Sequence, residues 1–194
     1  CVAFLQGGIG WYSKSFPTTI SANQKCYIVF DGVYNNSEYW INGKKLGYHP
    51  SGYAPFYFDV TDYLNPNEDN RMTVRVDHSH YADSRWYTGS GIYRDVKMIV
   101  TDRLHIPVWG TFVTTPVVTD KYAKVNNQVT VCNSYSEPRA AVVEVVYKDN
   151  KGNIAAFEVF SIKLNAGEEK IIDIVSEIKQ PDLWSVDTPV LYTA

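Results

Sequence analysis

Between Asp83 and Val96 the chain runs Asp83-Ser84-Arg85-Trp86-Tyr87-Thr88-Gly89-Ser90-Gly91-Ile92-Tyr93-Arg94-Asp95-Val96, the densest gathering of carboxylates, cations and aromatics in its 194 residues. A carboxylate accepts paired hydrogen bonds, a guanidinium donates them, and Trp and Tyr rings offer apolar faces to stack on. Gly89 and Gly91 can take up positive φ or admit close backbone approach, so their neighbours can be aimed. An ordinary strand-to-strand loop has the same composition, and the residues alone leave both readings open. Just upstream, His78-Ser79-His80 sets two imidazoles on one side of an extended segment, with Asp77 and Asp83 near in sequence. That is a partial metal-ligand set without a third defined ligand. We read it as solvent-facing loop, assign no metal or cofactor, and give the isolated His49 and His105 no role.

The elements that must hold this stretch read as strands. Trp11 to Phe16 and Lys25 to Asp31 come first, the second with Cys26, Ile28 and Phe30 on one face and Tyr27 and Val29 on the other. Asn42-Gly43 between Glu38-Tyr39-Trp40-Ile41 and Lys44-Lys45-Leu46-Gly47 predicts a hairpin. Phe56 to Val60 follows, then Arg71 to Asp77 with Met72, Val74 and Val76 inward, and a last strand from Tyr93 to Val100. No window of helical period lasts three turns. Beyond Arg103, Thr111 to Thr115, Val129 to Asn133, Ala140 to Lys148, Ile154 to Leu164 and Glu168 to Ile174 alternate at the spacing of an immunoglobulin-like sandwich. Asp149 to Asn153 and Asn165-Ala166-Gly167 are the turns between them.

Composition bounds the partners. A net charge of -3 gives no attraction for nucleic acid or acidic membrane, and no stretch approaches the ~18 apolar residues of a membrane span. An aromatic fraction of 14% suits β-rich cores and sugar-stacking surfaces alike. Cys1, Cys26 and Cys132 form no disulfide framework, and Cys26 and Cys132, each in an alternating apolar run, are expected to be small buried hydrophobes. The chain opens without an initiator Met and without a signal peptide, so we read it as an excised piece; its compartment stays open, periplasm and extracellular space included.

Five ordered motifs carry a resemblance to glycoside hydrolase family 2, the β-galactosidases, β-glucuronidases and β-mannosidases. Gly10-Trp11-Tyr12 with Phe16 resembles the family's Gly-Trp-Tyr-Arg-Lys-x-Phe entry to its sugar-binding domain, with Ser13 where Arg is common. Asp31-Gly32-Val33-Tyr34, Trp40-Ile41-Asn42-Gly43, and Gly52-Tyr53-Ala54-Pro55-Phe56 with Asp59 are similar to its next segments, and Arg85 to Arg94 to its closing signature. Pro181 to Tyr192 resembles the Leu-Trp-x-x-x-x-Pro-x-Leu-Tyr close of the family's second domain.

The resemblance implies an all-β chain: a galactose-binding-like jelly-roll sandwich over 1–102, with its first strands missing and a sheet edge exposed, then an immunoglobulin-like sandwich over 103–194. It implies that the two glutamates of retaining glycoside hydrolysis, about 5 Å apart, belong to a barrel absent from this chain. Glu38, Glu68, Glu144 and Glu158 have no reason to converge and are read as solvated surface. It also implies that the loop from Asp77 to Trp86 reaches the sugar: Asp83 accepting from hydroxyls, Arg85 donating, Trp86 or Tyr87 stacking. Pairing of Asp83 and Arg85 with each other or with Arg94 and Asp95, to brace the loop, competes with that role, and for Arg94 and Asp95 bracing is preferred. The partners so implied are a β-galactoside or related carbohydrate and the barrel of the same protein, with homo-oligomerisation open. A stand-alone carbohydrate-binding module and an adhesive pair of sandwiches are the alternatives.

Overall fold

The structure, a computed structural model, describes residues 7–80 and 88–194, and the chain falls into two compact units, 1–102 and 103–194. Among the described residues of the first unit nine strands follow in order: β1 (Ile9–Pro17), β2 (Gln24–Phe30), β3 (Val33–Tyr34), β4 (Ser37–Ile41), β5 (Lys44–His49), β6 (Phe56–Asp59), β7 (Asp69–Asp77), β8 (Gly91–Ile92) and β9 (Val96–Asp102). A 3-10 turn, Thr61–Tyr63, sits between β6 and β7. One sheet has the order β1-β7-β4-β5, the facing sheet β6-β2-β9, and β3 and β8 form a short ribbon; every pairing is antiparallel. Two sheets face each other because β7 and β4 turn Met72, Val74, Val76, Tyr39 and Ile41 to one side, and β2 turns Cys26, Ile28 and Phe30 toward them. All eight are buried.

Local chemistry holds the register. Asn42 and Gly43 both have positive φ, +50° and +79°, the type I′ geometry whose twist matches the flanking strands, and Ile41 pairs with Lys44 across them. Fully buried Asn70 replaces missing backbone partners in the β6–β7 connection. Its Oδ1 accepts from the Asn65 N–H and from Asn42 Nδ2, both at 2.7 Å, and its Nδ2 donates to the carbonyls of Asn65 and Glu68. The expected strand from Tyr93 to Val100 begins later, as β9 at Val96; β8 ends at Ile92, and Tyr93 to Asp95 lie between the two. Tyr93 leaves the ladder to donate its hydroxyl to the Gly52 carbonyl at 2.8 Å.

The second unit contains β10 (Leu104–His105), β11 (Thr111–Val118), β12 (Tyr122–Asn133), β13 (Arg139–Lys148), β14 (Ile154–Leu164) and β15 (Glu169–Lys179). β12 pairs with β15 on one side and with β11 and then β10 on the other, and the β13–β14 hairpin forms the second layer. Val125, Val129, Val131, Val143, Val145, Tyr147, Leu164 and Ile174 fill the core between them. Pro116 lies within the register shift of the edge strand β11, where a residue with no N–H costs no ladder bond. At the β13–β14 turn Asp149 accepts from the N–H groups of Lys151 and Asn153, and these bonds, led by the Asn153 side chain, hold its carboxyl below the usual range.

Two expectations need correction. Cys26 is a buried hydrophobe, but Cys132 is not: Val129 and Val131 point into the core, so strand parity turns residue 132 to the outer face, where its Sγ lies 3.4 Å from Glu169 Oε2. Glu38 is not simply solvated. It lies on the outer face of β4 between Lys45 and Arg75, at 2.5 and 3.2 Å, and the Lys45 bond foremost lowers its pKa.

Candidate substrate-side rim of the first unit

β7 ends at Asp77 and β8 resumes at Gly91, so the segment 78–90 emerges from one end of the first sandwich. Asp83, Arg85, Trp86 and Tyr87 lie outside the described residues; the structure describes the two roots from which they spring. The incoming root is tied by main chain: the His78 N–H donates to the Gly8 carbonyl at 2.9 Å and the Asp77 N–H to the Asn35 carbonyl at 3.2 Å. The roots are also tied to each other, His78 Nδ1 sharing a 2.6 Å hydrogen bond with Ser90 Oγ. At about 0.5–1.5 kcal/mol each, such bonds confine the segment's ends.

Beneath the roots is an aromatic seat gathered from three connections. The Tyr34 ring meets His78 edge-on at 5.0 Å and Tyr53 edge-on at 5.4 Å, while Arg94 lies over the Tyr93 ring at 5.3 Å. Tyr53 and Tyr93 are exposed and Tyr34 is buried, so the seat is a rim with a hydrophobic base. Glycines make the close approaches. A side chain at Gly52 would collide with the Tyr34 ring, its Cε2 only 2.7 Å from the new Cβ. Gly91 has φ +96° and receives the Tyr12 phenol, whose Cζ would stand 2.9 Å from a Cβ there.

The electrostatics of the roots favour a fixed anion. Asp77 accepts from the Ser79 hydroxyl and N–H and from Arg75 at 2.8 Å, and these bonds, the Ser79 hydroxyl first, lower its carboxyl pKa. Asp77 is thereby committed to bracing the root. Arg94 and Asp95 join no ion pair among the described residues: Arg94 covers Tyr93, and the Asp95 carbonyl accepts from the Asp31 N–H at 3.0 Å. The described residues include no group of three or more His, Cys, Asp or Glu that could hold a metal ion. Of the other glutamates, Glu68 and Glu144 are exposed and Glu158 is half-buried, each on its own turn or strand.

Tyr34, Tyr53 and the His78–Ser90 tie did not emerge from the sequence as site residues. The signals were there in part, since Tyr34 and Tyr53 stand inside two of the quoted motifs. Nothing in their spacing shows that the connections carrying them converge.

Comparison with known proteins places this rim. Residues 4–102 match the family model described as glycosyl hydrolases family 2, sugar binding domain, and residues 104–194 match that described as glycosyl hydrolases family 2. A β-galactosidase of Bacteroides ovatus is 42% identical over 97% of this chain and 22% of its own length, and a β-glucuronidase of Bacteroides fragilis is 28% identical over 95% of this chain and 28% of its own. The crystal structure of a family 2 member from Bacteroides cellulosilyticus superposes with a TM-score of 0.92 at 36% identity, covering 98% of this chain and 26% of that one. The chain thus spans between a fifth and three tenths of the length of these relatives. With both units matched, the all-β chain of jelly-roll and immunoglobulin-like sandwiches belongs to glycoside hydrolase family 2.

Proposed function

We propose that this chain is a non-catalytic portion of a β-galactosidase-like family 2 glycoside hydrolase, scaffolding the barrel that cleaves the O-glycosidic bond and lending its sugar site one wall. In this reading the segment 78–90 leans over the barrel mouth. The Asp83 carboxylate accepts from sugar hydroxyls, Arg85 donates to one, and Trp86 or Tyr87 lies against the apolar C–H face of the ring. The two catalytic glutamates come from the barrel, because general acid and nucleophile must stand about 5 Å apart and Glu38, Glu68, Glu144 and Glu158 stand on separate elements.

The observation that carries the reading is the pinned loop: both roots of the segment bearing Asp83 to Tyr87 are fixed to each other and to an aromatic rim, inside the part matched to the sugar binding domain. In this reading the tethered segment turns its side chains to a neighbour rather than to the sandwich. A galactoside is favoured over a glucuronide by the identity to the Bacteroides ovatus enzyme. The purified chain should release no nitrophenol from nitrophenyl-β-galactoside while the parent enzyme does so. Turnover that scales with the concentration of the chain alone would overturn the reading.

A further inference from the structure

Strand parity turns Val74, Tyr39 and Ile41 into the first core, so their neighbours in sequence share the opposite, outer face of the β1-β7-β4-β5 sheet. Two rows cross that face. Trp11 pairs with Arg75, Arg75 with Glu38 and Glu38 with Tyr48, one residue from each of the four strands; in the next row Ser13 pairs with Thr73, Thr73 with Trp40 and Trp40 with Lys45. The Trp11 ring reaches across β7 to meet Trp40, with centroids 5.5 Å apart and planes tilted by 31°, and the Lys45 ammonium stands 5.7 Å from the Trp40 ring centre. Trp11 nonetheless remains 62% exposed and Tyr48 55%. An indole left this wet on a sheet face adds little to the fold, because apolar area stabilises only where it is removed from water.

Between the aromatics the polar groups are held in place. Glu38 Oε1 accepts from Lys45 at 2.5 Å and its Oε2 from Arg75 Nη1 at 3.2 Å, while Arg75 Nη2 donates to Asp77 at 2.8 Å. Two cations and two carboxylates offset each other, so this frame presents directed donors and acceptors without net charge. Tyr48 adds a phenol whose hydroxyl donates to Asn36 Oδ1 at 2.9 Å. The first row is three inter-strand spacings long, about 14 Å, which exceeds one pyranose ring.

We propose that this outer face binds a neutral oligosaccharide, one ring lying with its C–H face on Trp11, another toward Tyr48, and hydroxyls between them bonded to Glu38 and Arg75. The class of ligand follows from how the charges are spent. Lys45 and Arg75 are both paired, so the two rows offer an anionic sugar no unmatched cation. A protein surface docking on Trp11 would strip water from these ion pairs together, a desolvation that the pairing repays only in part. A sugar needs a single ring face and puts hydroxyls where that water was. The proposal goes beyond the catalytic reading and does not depend on it, because all four strands of the face belong to this chain.

Isothermal titration of the chain with galactohexaose, cellohexaose and, as the anionic control, hexagalacturonate tests it. A saturable heat is expected with at least one of the neutral sugars and none with the control. Trp11→Ala should weaken that binding about tenfold with the melting temperature unchanged, Glu38→Gln should weaken it severalfold, and Trp11→Phe, which keeps a stacking face, should retain most of the affinity even if Trp11→Ala fails to fold. Absence of heat with both neutral sugars would overturn the proposal, as would a preference for hexagalacturonate or a heat that survives Trp11→Ala. A heat lost on Asp83→Asn would assign the binding to the segment 78–90 and overturn it too. Oxidation by N-bromosuccinimide, mapped to Trp11 by mass spectrometry, extends the test to the parent enzyme: Trp11 should react there as it does in the chain alone, and protection without added sugar would mean that protein covers the face. A parent that binds the neutral sugar through Trp11 but has no glycosidase activity would sink the functional reading and leave this one standing.

Discussion

Gly91 joins the loop roots to the body of the sandwich, and replacing it with alanine should be among the most damaging small changes in the first unit. Two costs combine. At φ +96° an L-residue is strained by about 1–2 kcal/mol, and the new methyl would press on the Tyr12 phenol, whose displacement costs about 1–3 kcal/mol by the usual penalty for overpacking. The total is about 2–5 kcal/mol, or a fall of at least about 8 °C in the melting temperature of a unit this size. Gly43→Ala is the control: its φ is also positive, +79°, but nothing stands within 4 Å of the added Cβ, so only the backbone cost of about 1–2 kcal/mol applies. Urea unfolding monitored by amide exchange of β2 and β7 peptides reads this unit without the other. Tyr12→Ala in the Gly91→Ala background should recover at least about 1 kcal/mol as a coupling between touching residues. If Gly91→Ala costs no more than Gly43→Ala, the Tyr12 phenol does not pack where we place it and the account of the loop root fails.

Other outcomes follow from single residues. His49 is stacked on Phe56 with ring centroids 3.9 Å apart and a buried Nε2 that has no partner among the described residues, and burial lowers its pKa against the opposing pull of a bond to Ala54. Because the folded pKa is depressed, the unfolded chain takes the proton first. Stability of the first unit is therefore full above the ordinary His value near 6.5 and declines as pH falls below it; the urea midpoint should drop between pH 7.5 and 5.5, and His49→Phe should flatten that dependence. Cys26, its thiol pushed up to about 11 by burial and by Asp59, should resist iodoacetamide at pH 8 under native conditions, whereas half-buried Cys132 should label; equal labelling would count against the strand parity assigned to the second. Asn70→Ala should cost about 2–4 kcal/mol by removing the four hydrogen bonds that this buried amide makes, and a change below 0.5 kcal/mol in urea unfolding would show that water replaces the amide readily.

How far the structure could be read in advance depended on the range of the cause. Period-two alternation fixes which side of a strand is wet, so Met72, Val74 and Val76 and the Asn42-Gly43 turn are local facts. The apolar run around Cys132 reads as buried on both faces, but Val129 and Val131 set the parity of the strand and turn residue 132 outward. The break after Ile92 depends on a hydroxyl reaching Gly52, forty-one residues away, and no alternation records that. The same holds for the rim: Tyr34, Tyr53 and His78 meet through chain reversals whose geometry is tertiary. In contrast, the position of the loop is legible from Gly89 and Gly91 and the charged and aromatic residues on either side of them.

The central claim, that the loop after β7 serves the sugar site of a larger enzyme, comes down to what Asp83 does there. The most direct measurement is kcat/KM for nitrophenyl-β-galactoside in the parent enzyme carrying Asp83→Asn, alongside its melting temperature. A charge-assisted hydrogen bond to the sugar is worth about 1.5–3 kcal/mol, so kcat/KM should fall roughly 10- to 150-fold with the melting temperature unchanged. An unaltered kcat/KM, or a loss matched by a fall in stability, would contradict it and make the loop a brace of the sandwich.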